Sequence, residues 1–178
     1  MAITANTPIN IVVGAGDLTY GGADLGATEG GARLRVEREY YTPDLDGARA
    51  EVMGTERLIR ETATLEVTLA ELTMLSLDYA LPGADLVSDA SSEILTAAIR
   101  ACIPQSDHGD VVLTVPRCAA DGTEELDIII TLYNALAEPG LEIPFMDTED
   151  SKYTVTFKAY LDAANITDPV WQIERQIA

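Results

Sequence analysis

The chemistry this chain could perform has few places to begin. In the run "INIVVGAGDLTYGG", an apolar stretch leads into Gly14 and Gly16. Such a Gly-x-Gly behind a strand can bring backbone N–H groups close to a pyrophosphate at a helix start. The full fingerprint needs a third glycine at position 19, where the chain has Thr19, and a helix after it. Gly21, Gly22, Gly26, Gly30 and Gly31 would interrupt any helix there. The glycines are therefore expected to joint short extended pieces, residues 17–20 and 23–26 about a turn at Gly21 and Gly22, and not to cradle a phosphate.

Other reactive groups are scarce. Nucleophile–base pairs of the triad type need an imidazole, and the single histidine, His108, sits in "QSDHGD", a setting that predicts an exposed turn. Cys102 and Cys118 are too few for a disulfide framework and match no zinc spacing. Asp44, Asp46 and Gly47 faintly echo a calcium loop, but the third carboxylate and the closing bidentate glutamate are missing. No G-x-S-x-G, H-E-x-x-H or phosphate-loop motif occurs. No catalytic residue, metal ligand or cofactor is expected, and the chain is not read as an enzyme.

Charge excludes a further class. Eleven Lys and Arg stand against thirty Asp and Glu, a net charge of −19 with a pI near 4.1. Nucleic-acid readers hold phosphates with basic side chains, so specific DNA or RNA binding is not expected. No apolar run approaches the roughly 20 residues that span a bilayer. The segment "MAITANTPIN" lacks the basic and long apolar regions of a signal peptide, so synthesis and folding in a cytoplasm, away from membranes, are expected. A length of 178 residues suits one well-cored domain, residues 1–178.

The elements that must carry any surface are mainly strands. Residues 32–39, "ARLRVERE", turn Leu34 and Val36 one way and Arg33, Arg35, Glu37 and Glu39 the other. Residues 58–69 put Ile59, Ala63, Leu65, Val67 and Leu69 on one face, with Glu61 the misfit, and Arg60, Thr62, Thr64, Glu66 and Thr68 opposite. In residues 152–161, Tyr153, Val155, Phe157, Ala159 and Leu161 alternate with polar positions. Residues 111–115 and 126–133 read as a second-sheet pair joined by a hairpin turn at Asp121 and Gly122, with Ile128, Ile129 and Ile130 buried on both faces. Thr68 and Glu71 fit a capping box opening a helix whose stripes (Leu72, Leu75, Tyr79 and Met74, Leu77, Leu81) end before Pro82 and Gly83. A second helix is predicted over residues 92–102.

Together these predict an antiparallel β-sandwich with one or two flanking α-helices and a long protruding loop between two strands. That loop, residues 40–55, "YYTPDLDGARAEVMGT", is too long and aperiodic for a hairpin turn. Its adjacent tyrosines and charges suit a protein contact, with a mobile surface loop as the alternative. Trp171, in the C-terminal tail of residues 163–178, is expected to anchor that tail by packing.

The order of features resembles the tail tube (major tail) proteins of long-tailed bacteriophages. The resemblance rests on "VGAGDLTYGGADLGATEGGARLRVEREY", "YTPDLDGAR", "VMGTERLIRETATLEVTLAEL" and "YTVTFKAYLD". It covers nearly the whole chain, most clearly residues 12–83 and 150–162, and leaves residues 83–110 unplaced. It implies a β-sandwich whose copies close into hexameric rings, their inner sheets joined as one barrel, stacked into a hollow tube for DNA ejection. The arm, with Tyr40, Tyr41, Asp44, Asp46, Arg49 and Glu51, would reach a neighbouring subunit or ring. The polar faces Arg33, Arg35, Glu37 and Arg60, Thr62, Thr64, Glu66 become candidates for the lumen. Implied partners are further copies of the chain, a tape measure, a tail terminator and distal tail or baseplate proteins, with DNA only in transit. The implied location is the virion tail, after synthesis in a bacterial cytoplasm. Alternatives are a tube protein of a phage-derived particle (tailocin or gene transfer agent), or a β-sandwich binding module on a virion or cell surface.

Overall fold

A computed structural model of the chain describes residues 16–47, 49–97, 101–116, 127–145 and 151–175. In chain order the strands are β1 (Asp17–Tyr20), β2 (Ala23–Asp24), β3 (Thr28–Tyr41) and β4 (Arg57–Leu69), followed by helix α1 (Met74–Ala80). Next come β5 (Ala84–Ser88), β6 (Glu93–Ala97), a 3₁₀ turn (Gln105–Asp107), β7 (Gly109–Val115), β8 (Ile128–Ala137), β9 (Tyr153–Lys158) and β10 (Trp171–Arg175). The pairings are antiparallel. One sheet runs β2-β1-β7-β8 with β10 on the far side of β8, and the other runs β8-β9-β4-β3. β5 and β6 form a separate hairpin.

The core is the space between the two sheets, and period-two alternation fills it. Leu18, Tyr20, Val111, Leu113 and Leu132 come from one side; Ala63, Leu65, Val67, Leu69, Tyr153, Val155 and Phe157 come from the other. β8 belongs to both sheets. Residues 128–132 pair with β7 and β10, then Leu136 and Ala137 pair with β9. The strand turns at Asn134, a non-glycine residue at φ 48°, whose N–H donates to Asp110 Oδ1 at 2.9 Å. Tyr20 fills this corner. Its ring lies 4.7 Å from that of Tyr79 and 5.5 Å from that of Phe157, and its hydroxyl donates to the carbonyls of Asp107 (2.8 Å) and Ala135 (3.0 Å). A Cβ at Gly109 would come within 2.9 Å of that ring, so the corner requires glycine there.

Several sequence expectations need correction. β4 continues through Leu69, and Thr68 bonds across the sheet to Thr154 instead of capping a helix. The helix starts one turn later, capped by Thr73 and Ser76, with Ser76 Oγ also accepting from the buried Tyr153 hydroxyl at 2.6 Å. Leu72 and Leu75 are exposed, so α1 is covered along one side only. Residues 93–97 of the second predicted helix are strand β6, where cross-strand bonding to β5 overrides the helical spacing. The isoleucines at 128–130 are half-buried, because one face of β8 looks outward. β9 ends at Lys158, leaving Leu161 exposed, and the tail contributes strand β10. β7 and β8 do pair antiparallel, while the turn expected at Asp121 and Gly122 lies outside the described residues.

Glu61, the misfit of β4, has an account. Its Oε1 accepts from the Trp171 indole N–H at 2.6 Å and from Arg38 Nε at 2.9 Å, and the Arg38 guanidinium lies 5.7 Å from the Trp171 ring centre. The tryptophan hydrogen bond, then the arginine, hold the Glu61 carboxyl below the usual carboxylate range, against partial burial. Trp171 thus ties the C-terminal strand to the β3–β4 hairpin, as its anchoring role required.

Two outcomes follow. Burial pushes the Tyr20 phenol up to about 12, opposed by its bond at Gly109 and reinforced by Asp107. The ordinary phenol of the unfolded chain ionises near pH 10, so above that the folded state loses stability as pH rises towards 12. Tyr20→Phe should lower urea-unfolding stability at neutral pH by about 1–3 kcal/mol and remove this alkaline contribution. Trp171→Phe should cost about 1 kcal/mol, read as roughly five-fold weaker amide protection in residues 57–61. Because Glu61 is depressed, its contribution is present above the ordinary carboxylate range and is lost as pH falls through its lowered value, so the two proteins should converge in acid.

Candidate assembly surface

Two surfaces collect the residues singled out by sequence. The first is the outward face of the β3–β4–β9 sheet. Register pairs Arg33 with Glu66, Arg35 with Thr64, Glu37 with Thr62 and Glu39 with Arg60, and β9 extends the row with Thr156 and Lys158. All seven lumen candidates (Arg33, Arg35, Glu37, Arg60, Thr62, Thr64, Glu66) line one open trough of about 860 Å³. Arg33 lies 4.0 Å from Glu66, Lys158 lies 4.0 Å from Glu138, and Arg35 pairs with Glu37. These pairs are solvent-exposed and contribute little to stability. Their consequence is a balanced surface. Arg33, Arg35, Arg60 and Lys158 face Glu37, Glu39, Glu66 and Glu138, and the fifth cation of the lining, Arg38, is paired with Glu61, so the excess behind the −19 lies elsewhere on the chain.

The second surface is the far end of the same hairpin. β9 accompanies β4 only as far as Thr64, and the Ala159 N–H adds one bond to the Ala63 carbonyl. Beyond this, β3 and β4 pair with each other alone out to Tyr41 and Arg57, past a register shift at Glu39 and Tyr40. The hairpin therefore overhangs the sandwich. Tyr40, Tyr41, Leu45, Val52, Leu58 and Ile59 are exposed on it, and Met53 is 94% exposed. Asp44, Asp46, Arg49 and Glu51 are exposed beside them. Local bonds shape the arm's return: Thr55 Oγ1 donates to the Val52 carbonyl at 2.7 Å, and the Gly54 N–H donates to Glu56 at 3.0 Å. The expected loop is thus the tip of a long two-stranded arm, with both tyrosines inside β3.

Among the described residues the reactive candidates do not assemble into a site. Among the described residues, no group of three or more His, Cys, Asp and Glu is placed to hold a metal ion, which includes Asp44 and Asp46. His108 is half-buried, not exposed, with its ring edge-on to Tyr160 at 5.2 Å. Its buried Nδ1 has no hydrogen-bond partner among the described residues, and Ser106 Oγ bonds to Asp107. Asp78 nearby is raised by burial and by the charges of Asp85 and Asp107. Cys102 is a free, exposed thiol. Gly16 packs against Leu113 and Thr114 of β7, whereas Gly14 and Cys118 lie outside the described residues. The charge balance of the trough was missed by sequence reasoning, since the composition is strongly acidic and the balance arises from which strands lie side by side.

No protein-family model matches the chain, and no curated protein matches it. Solved structures do. A chain of the PVC sheath–tube complex, an extracellular contractile injection system in its extended state, aligns over 100% of both chains at 12% identity and a TM-score of 0.51. A chain of the anti-feeding prophage cap, which terminates the AFP tube, aligns over 98% of this chain and 99% of its own at 15% identity and a TM-score of 0.52. At these identities the likeness concerns the fold, and the fold is the tail-tube-like β-sandwich that the sequence resembles.

Proposed function

We propose that the protein is a structural, non-catalytic subunit of the hollow tube of a phage or phage-derived particle, and that it polymerises through ring-forming contacts. The overhanging β3–β4 arm carries this reading. A hairpin that leaves Met53 and six other large side chains wholly or half in water gains up to roughly 1.5–3 kcal/mol when a neighbour covers Met53 and about half as much for each of the others. β3, fourteen residues long, is also an edge of its sheet with no second partner strand among the described residues. Such edges invite pairing with another chain, and a closed ring removes them by symmetry. Full-length likeness to chains of a tube complex and a tube-terminating cap supports the same reading.

In this reading six copies close a ring, rings stack, and the balanced trough of Arg33, Arg35, Glu37, Arg60, Thr62, Thr64 and Glu66 lines the channel. Facing carboxylates keep the arginines from holding a polyanion, so DNA passes without being bound. The further partners are a tape measure, a tail terminator and distal tail or baseplate proteins, and the location is the particle's tail. A cap role is the second reading, favoured by the likeness to the tube-terminating chain. A binding module would need clustered exposed aromatics, and aromatic residues are only 6% of the sequence.

Negative-stain microscopy of the purified protein should show tubes of uniform diameter; single rings that never stack would favour the cap role, and a persistent monomer would refute both. Deleting residues 44–51 should leave a folded subunit that forms no tubes, and normal polymerisation of that variant would remove the arm from assembly. Strong, salt-resistant DNA binding by assembled tubes would contradict the conduit.

A further inference from the structure

The bend of β8 opens a cleft on the molecule's surface. Asn134 turns the strand away from its first sheet, and a space of about 290 Å³ is left between Tyr133, Tyr160, Leu161, Asp168 and Val170. Its walls are preformed. Asp162 braces the loop of residues 161–170: Oδ1 accepts from the Ala164 N–H at 2.9 Å and from Gln105 Nε2 at 3.4 Å, and Oδ2 accepts from Asn165 Nδ2 at 3.1 Å. The Tyr133 hydroxyl donates to Gln172 at 2.6 Å, and the Tyr160 ring is held edge-on by His108. At the rim, the exposed Asp168 carboxylate makes no ion pair or side-chain hydrogen bond among the described residues.

Two phenol rings, an aliphatic floor and one free carboxylate suit a side chain with an apolar stem and a cationic head. Cations are scarce in a chain with eleven of them against thirty carboxylates. Two lie on the arm: Arg49 near its tip and Arg57 at the start of β4. Both are exposed, and neither has an ion pair among the described residues. The planar guanidinium can stack on a tyrosine while its edge meets a carboxylate.

We propose that the cleft between Tyr133, Tyr160 and Asp168 receives an arm arginine, Arg49 or Arg57, of a second copy of this chain. The inference rests on the tube reading and supplies the receptor for the arm. Desolvation by the tyrosines makes the pair count for more than the exposed pairs of the trough.

The test is charge exchange in the full chain, with folding checked by circular dichroism and thermal melting. Asp168→Arg, and separately the pair Arg49→Glu with Arg57→Glu, should each reduce the sedimentable assembled fraction by roughly ten-fold or more. Combining all three changes in one chain should restore tubes. If Asp168→Arg perturbs the loop, the near-isosteric Asp168→Asn gives the same readout through a weaker assembly. Tubes from Asp168→Arg at the wild-type level, or no rescue in the combined variant, would overturn the proposal while leaving the tube reading standing. A wild-type protein that never assembles would overturn both.

Discussion

One strand of this molecule serves two sheets, and the remaining architecture follows from how it turns. β8 must leave β7 and β10 and meet β9 without abandoning backbone hydrogen bonds, because orphaned buried groups are costly. A left-handed residue at Asn134 accomplishes the turn, and its exposed N–H is taken by Asp110. Asparagine tolerates that conformation better than most residues with a side chain. Directly after it, Ala135 and Ala137 are almost wholly buried, small enough to let the sheets converge. Opposite, the register shift between Gly109 and Val111 makes room for the Tyr20 ring, whose hydroxyl satisfies the Ala135 carbonyl at the bend. Strand, counter-strand and corner tyrosine are mutually dependent.

The closed corner leaves the opposite side open. At the far edge, β3 and β4 outrun the sandwich, since only one additional strand backs them and it stops at Lys158. The overhang is held at its root by Glu61, Trp171 and Arg38, a polar clamp set on the face that elsewhere packs as core. Past the clamp the apolar pattern continues through Ile59 and Leu58, which stay about half exposed. A sequence that keeps apolar residues where the monomer cannot bury them is written for a larger assembly. Charge follows the same division: the outward face of this sheet is balanced, although the chain as a whole is strongly acidic.

Legibility of the sequence tracked the locality of the forces involved. β3, β4 and β9 could be read from alternation and β7 and β8 from short apolar runs, because each pattern is a property of the strand alone. The lumen candidates share one face for the same reason. Errors fell where a partner decides. Residues 93–97 carry helical spacing but lie opposite 84–88, whose backbone groups take their hydrogen bonds. The Thr68–Glu71 capping signature failed because β9 holds Thr68 in the sheet. Glu61 was visible as an anomaly, yet its reason lies 110 residues away at Trp171.

By itself, then, the sequence determined the class: an acidic, mainly β chain with no reactive constellation, a long arm between two alternating strands, and glycine-jointed entry pieces where a nucleotide loop might have been. Those features rest on side-chain period, turn chemistry and composition, which each residue carries wherever it sits. Tertiary structure alone decided that β8 joins the sheets, that the arm overhangs them, that the trough is charge-balanced, and that a tyrosine-walled cleft opens beside the bend. Each of these depends on which distant segments meet, and register between strands remote in sequence is set by the packing of the whole core, not by any local pattern.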